Sequence, residues 1–330
     1  MERVIASAPG KLMLFGEHAV IYDKPCLVTA VDIRVYVAVE GNETKSIVVS
    51  PSNSDLVYET AVSELLERSN SYHENISFVM AGVERFYKRH NIREGIKIIT
   101  YGPKNSFGLG SSSAVTVATL KALGEYYKIS LSQRELFDLA YQSVIDVQGK
   151  GSGFDVAAAV YGGTIYFLTG GKIIEPLNVQ KIPLIIGYSG KKVSTVNLVN
   201  EVKDAFQTHP TIIGGIFDTI QLIVEDAKQK LLNEHWDGVG QLSNINQGLL
   251  DALGVNTNPL AKIIFAARQA GALGAKLSGA GGGDCMFAIA TTEIDKVKAA
   301  MSEAGAEIIE FAINADGARI EKGISNYANE

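Results

Sequence analysis

The sequence predicts an α+β protein built as two lobes. Strand-like and helix-like segments come in groups rather than in strict alternation, which argues against one parallel sheet. The chain has 330 residues, roughly twice a typical domain. A second set of strand and helix signals begins near residue 170, so the boundary is expected between residues 165 and 180, with lobes of 1–170 and 171–330.

The first lobe opens with VIASA and KLMLFG, then CLVTAVDIRVYVAVEG, segments rich in β-branched residues with partial alternation. Residues 62–89 read as one helical stretch because apolar residues recur three and four apart. GIKIITYG alternates like a strand and leads into SFGLGSSSA, after which helices are expected over 115–127 and 133–147. GKGSGFD interrupts before AAAVYGG and the strand-like TIYFL. In the second lobe, IPLIIGYSG reads as a strand and turn, and STVNLVNEVKDAF as a helix that Ser194 would cap. Further helices are expected to end near Gln229, Leu250 and Arg268. KLSGAGGGDCMFAIAT is a glycine-rich loop feeding a strand, VKAAMSEAGA a helix, and EIIEFAINADGARIE closes with strands. No repeat, low-complexity linker or heptad run is present.

Composition narrows the function. Hydrophobic residues make up 46% and charged residues 20%, which suits a globular protein with a large core. The net charge of −6 argues against nucleic acid as a partner, so an anionic ligand must be held by local groups. The two cysteines, Cys26 and Cys285, are far apart and suggest neither zinc nor a disulfide framework. MERVIASAPGKLMLFGEH has no long apolar core, and no run approaches the roughly 18 apolar residues that span a bilayer. A cytoplasmic protein with no membrane partner is the expectation.

The 33 glycines gather in three loops, APGKLMLFGEH at 8–18, SFGLGSSSA at 106–114 and LSGAGGGDC at 277–285. Glycine lets backbone N–H groups converge on a ligand, and a helix start aims them at an anion. Any one of these loops alone is most simply a tight turn. Neither GxxxxGK[ST] nor an unbroken GxGxxG is present. Together and in this order, PGKLMLFGEHAVIYDKP, GLGSSSAVTVATLKAL and KLSGAGGGDC resemble the three motifs of the GHMP kinases over nearly the whole chain. The resemblance implies an N-terminal lobe related to ribosomal protein S5 and a ferredoxin-like C-terminal lobe, with ATP in the cleft and Mg²⁺ as its cation. A homodimer is also compatible with it.

The same resemblance assigns roles. Gly108, Leu109, Gly110, Ser111, Ser112 and Ser113 match the phosphate loop, with Ser112 as the Mg²⁺-ligating serine. Asp155 would otherwise be read as a helix cap; it matches the acidic residue that takes the acceptor's hydroxyl proton. Lys11, by default a solvated charge, matches the lysine that acts on that aspartate or on the transferring phosphoryl group. Glu17 and His18 are placed at the acceptor, with Gly279, Ala280 and Gly281 of the third loop and Ser194 and Thr195 of a KxST-like stretch. His73, His90, His209 and His235 share no motif and read as surface residues, and Trp236 as packing.

The choice of acceptor stays open between two branches of the family. GEHAVIYDKPCLVTAVDIRV and NINQGLLDALGV resemble mevalonate kinases, which phosphorylate the 5-hydroxyl of mevalonate for isoprenoid precursors. GSGFDVAAAVYGG and GAGGGDC look more like phosphomevalonate kinases. Mevalonate kinases usually carry a second metal-binding glutamate where this chain has Val144, and Asp146, about 200° further round the helix, faces elsewhere. No galactokinase-type N-terminal sugar signature is read. A non-catalytic sensor of the same fold would be expected to lose the lysine–aspartate pair, which is intact.

Overall fold

The computed structural model describes residues 3–52, 54, 56–67, 72–103, 107–193 and 195–322. The first sheet is nucleated by two long strands, β1 (Arg3–Phe15) and β2 (Pro25–Asn42). VIASA and KLMLFG, separate by sequence, are one strand with a register shift between Pro9 and Gly10. A proline inside a paired strand is tolerated at such an irregularity because the ladder is already interrupted there.

The other strands of this sheet are β3 (Ser46–Pro51), β4 (Tyr58–Ala61), β5 (Gly95–Tyr101), β6 (Thr164–Leu168) and β7 (Ile173–Leu177). The last is β12 (Arg319–Ile320), which returns from the C-terminal end of the chain. Their order is β12-β1-β2-β5-β3-β4, with β6 on the Pro25 end of β2 and β7 beside it. β3 and β5 run parallel and the other pairings are antiparallel.

Helices α1 (Val62–Glu67), α2 (Ser77–His90), α3 (Ser111–Tyr126), α4 (Gln133–Gln148) and α5 (Phe154–Tyr161) accompany this sheet. The expected helix over 62–89 is two helices, because the polar run YHEN at 72–75 turns the chain before α2. α4 starts with a complete capping box between Ser132 and Glu135. Val28, Val37, Ile98, Phe86, Val117 and Phe167 are among the residues that form this lobe's core.

The second sheet is built from β8 (Leu184–Tyr188), β9 (Gly274–Leu277), β10 (Cys285–Ile289) and β11 (Glu307–Ile309). Its order, β11-β8-β10-β9, is antiparallel throughout. Helices α6 (Thr195–Thr208), α7 (Pro210–Leu232), α8 (Trp236–Ala252) and α9 (Asn258–Gln269) join β8 to β9. Helix α10 (Ile294–Glu303) joins β10 to β11. A strand, helices, two strands, a helix and a strand in the order fourth-first-third-second is the ferredoxin-like pattern, here with four helices in the first connection.

The lobes meet along β1. Leu12, Leu14 and Phe15 share one core with Phe217, Ile220 and Leu277. Ser278 clasps the backbone of Met13, donating to its carbonyl at 2.8 Å and accepting from its N–H at 3.1 Å. The returning tail is pinned by buried Arg34, which donates to the carbonyls of Asp316 and Gly317 at 2.8 Å each. Both cysteines are buried and free. Among the described residues no helix is long and apolar enough to cross a membrane.

Candidate active site

Gly110 caps α3 from the left-handed region, φ +80°, and no side chain caps the helix. Ala114 is the first residue whose N–H reaches back, to the Gly110 carbonyl at 3.1 Å. The N–H groups of Ser111, Ser112 and Ser113 therefore have no helical acceptor and carry the positive end of the helix dipole. A serine-rich start with no self-cap leaves donors for something else.

The loop before this helix is docked on β1. The Lys11 N–H donates to the Leu109 carbonyl at 2.8 Å, and the Lys11 ammonium donates to the Gly108 carbonyl at 2.9 Å. A side chain at Gly110 would have its Cβ 3.0 Å from Lys11 Cγ and 3.7 Å from Asp155 Cβ. Glycine at 110 thus answers both the positive φ and the close approach of Lys11 and Asp155. Lys11 also lies over the Phe154 ring, 5.7 Å from its centroid. Burial lowers the Lys11 pKa, and the charge of Asp155 opposes that shift.

Asp155 sits in the first turn of α5, whose N-cap is Gly153 at φ +92°. Its Oδ1 accepts the Val156 N–H at 3.0 Å, and its Oδ2 accepts the Ser113 hydroxyl. The side chain is both a local helix-start acceptor and a group held against the phosphate loop. Ser113, expected at the phosphates, is fully buried with its hydroxyl on Asp155, so its N–H is what remains for a phosphate. Ser111 is exposed and Ser112 half-buried.

The acceptor-side residues divide. His18 is buried at φ +59° and its Nε2 donates to the Ala280 carbonyl at 2.9 Å, tying the first loop to the third. Burial pushes the His18 pKa down, against the pull of that bond. Glu17, expected to line the acceptor, has no accessible surface. Its carboxylate accepts from Lys276, also fully buried, and from Asn246 at 3.4 Å. Burial pushes Glu17 up and Lys276 down, and each partner's charge holds the other back. Gln247 completes this seam by accepting the Leu277 N–H at 2.9 Å. Gly279 and Ala280 are half-buried, and Gly281 is buried against the Val255 carbonyl. Thr195 begins α6, and Ser194 lies outside the described residues.

Several functional groups escaped the sequence reading. Lys276 and Asn246 lay inside quoted segments but carried no chemical signal until the fold paired them with Glu17. Asp284, quoted within GGGDC, lies against the phosphate loop: a Cβ on Gly108 would come within 2.6 Å of its carboxyl carbon. Val144 is buried in the first lobe's core, and Asp146 pairs with Arg85 on the outside. Cys285 donates to the Phe107 carbonyl at 3.2 Å, and burial pushes its thiol up to about 12. An apolar recess lined by Ile33, Val35, Pro103, Phe107, Leu109 and Ala114 opens beside the loop. His73, His209 and His235 are exposed, whereas His90 is half-buried with its ring tilted against Phe86, centroids 4.6 Å apart.

Comparison with known proteins places the chain in a family. The model of the GHMP kinases N-terminal domain matches residues 77–163 and that of the C-terminal domain residues 227–307. The chain belongs to the GHMP kinases and is an ATP-dependent small-molecule kinase. It is 38% identical to a mevalonate kinase of Thermococcus sibiricus over 97% of this chain and 98% of the relative. Its fold superposes on the mevalonate kinase of Methanococcus jannaschii with a TM-score of 0.82, at 24% identity, covering 94% of this chain and 98% of that one. The phosphomevalonate kinase of Streptococcus pneumoniae, solved with phosphomevalonate and AMPPNP, gives 0.80 at 18% identity, covering 95% and 100%. A model of the galactokinase galactose-binding signature also matches residues 1–40. That match overturns the expectation that no such signature is present.

Proposed function

We propose that the protein transfers the γ-phosphoryl group of ATP to the 5-hydroxyl of mevalonate, giving 5-phosphomevalonate and ADP. The observation that carries this reading is the convergence of Lys11, Asp155 and an uncapped helix start on one point beside Gly110. Mevalonate is favoured as acceptor by the near full-length likeness to curated mevalonate kinases.

The phosphates lie over the N–H groups of residues 111–113, where the helix dipole favours negative charge. Asp155 takes the proton as the hydroxyl oxygen bonds to the γ-phosphorus and the bridge to the β-phosphate breaks. The bond from Ser113 fixes Oδ2 of Asp155, which orients the carboxylate before substrate arrives. Lys11 offsets the charge on the phosphoryl group in transfer.

The residues present fit Mg²⁺. The Ser112 hydroxyl and the unpartnered Oδ1 of Asp284 are hard oxygen donors. Among the described residues no group of three or more His, Cys, Asp or Glu could hold a metal ion. Bound there, Mg²⁺ would neutralise charge on the β- and γ-phosphate oxygens.

The test is ADP release by purified protein with ATP and Mg²⁺, comparing mevalonate, 5-phosphomevalonate and galactose at matched concentrations. Turnover of mevalonate alone is expected. Turnover of 5-phosphomevalonate or galactose in its place would reassign the acceptor.

A further inference from the structure

We propose that Asp284 supplies the protein carboxylate of the cation site used with ATP, in place of the one absent at position 144. The proposal rests on the kinase reading above and concerns how the chain completes that site.

Asp284 is held where a side chain is disfavoured. Its φ is +53°, in the left-handed region, and its backbone is fixed from both sides. Its N–H donates to the Lys191 carbonyl at 2.8 Å, and its carbonyl accepts the Ser189 N–H at 2.9 Å. The three residues before it are glycine, so a fourth glycine would relieve the strain. The chain keeps an aspartate.

That aspartate faces the phosphate loop with a hydrogen bond from the Val193 backbone and one carboxylate oxygen left without a partner. Its carboxyl lies so close to Gly108 that an added Cβ would meet Cγ and Oδ2 at 2.6 Å. Its Oδ1 is buried and accepts no hydrogen bond. Burial raises the Asp284 pKa, and the charge of Lys11 works the other way. The Lys11 ammonium acts on it through charge alone and donates instead to the Gly108 carbonyl. A carboxylate beside a loop that receives phosphates would repel them. A divalent cation between the two reverses that sign.

The usual place for the carboxylate is closed. Val144 is 2% exposed and packed in the first lobe's core, and Asp146 pairs with Arg85 at the surface. Mg²⁺ sites in phosphoryl-transfer enzymes take one or two carboxylates together with substrate phosphates. Loss at 144 and gain at 284 leaves that number intact.

The experiment titrates Mn²⁺, followed by electron paramagnetic resonance, into the full chain with the β,γ-imido analogue of ATP. Wild type is compared with Asp284→Asn and Asp284→Gly. Asparagine keeps the shape and the capacity to donate; glycine suits the positive φ, so at least one variant is expected to fold. Both should weaken Mn²⁺ binding by about tenfold or more, while metal-free analogue binding in EDTA stays equal or tightens. Unchanged Mn²⁺ affinity in the folded variants would overturn the proposal. So would an equal loss of metal-free binding, which would mark Asp284 as a loop support. Absence of any analogue binding by wild type would instead remove the kinase reading on which the proposal rests.

Discussion

The phosphate loop and the lobe seam use similar residues and leave them in opposite states. At the seam, Glu17, Lys276, Asn246 and Gln247 bond one another or the backbone, leaving Asn246 Oδ1 over, and Ser278 serves Met13 with both its donor and its acceptor. At the loop, three helix-start N–H groups have no helical acceptor and Asp284 Oδ1 has no partner. Charges paired with each other hold two lobes in register, whereas several free donors gathered at a helix start make a place that an anion completes. The difference separates support from chemistry among residues that the motifs present side by side.

Breaking the seam should have the largest effect on stability. Lys276→Met leaves Glu17 buried without its counter-charge, which costs about 3–5 kcal/mol in denaturant unfolding. The double variant Glu17→Gln/Lys276→Met should recover part of that loss, because neither buried charge remains. Additive losses would show that the pair does not act as a unit.

A more selective break is Ser113→Ala, which removes a hydrogen bond to a charged group, about 1.5–3 kcal/mol. A fall in kcat of about tenfold or more is expected, with nucleotide affinity nearly constant. Equal loss of nucleotide affinity would return Ser113 to the phosphate contact first expected of it. Gly110→Ala comes next: a left-handed residue with a Cβ 3.0 Å from Lys11 Cγ should lower stability by about 1–2 kcal/mol and weaken ATP-analogue binding. A melting scan and a binding titration check both.

The smallest effects come with pH. His18 is held neutral below its ordinary value of 6.5, so the unfolded chain takes up its proton first as pH falls. Stability should therefore decline as pH drops through 6.5 and level off below the folded-state value. Lys11 must stay charged to act, and burial lowers its pKa, so its alkaline loss of activity should begin below 10.5. A stability profile flat from pH 7 to 5 would show that the seam tolerates a charged His18.

Most of the fold was legible because its signals are local. Alternation marked the strands, three- and four-residue spacing marked the helices, and glycine clusters marked the loops at 108–113 and 279–283. Two long-range features were not. β7 and β12 join the first sheet from residues 173–177 and 319–320, because pairing is decided by what lies beside a strand in space. Lys11, Asp155 and the loop glycines were named from the motifs, but Glu17 could not be told from an acceptor residue. Its state depends on Lys276, 259 positions away. Asp284 was visible as a letter, and only its approach to Gly108 gave it a role.

Asp155, held against the phosphate loop by Ser113, is the group proposed to take the acceptor's proton. Its most direct test is kcat with mevalonate for Asp155→Asn, measured beside the affinity for the ATP analogue. The account predicts a fall in kcat of about 100-fold or more, with analogue affinity unchanged. A kcat close to that of wild type would contradict it.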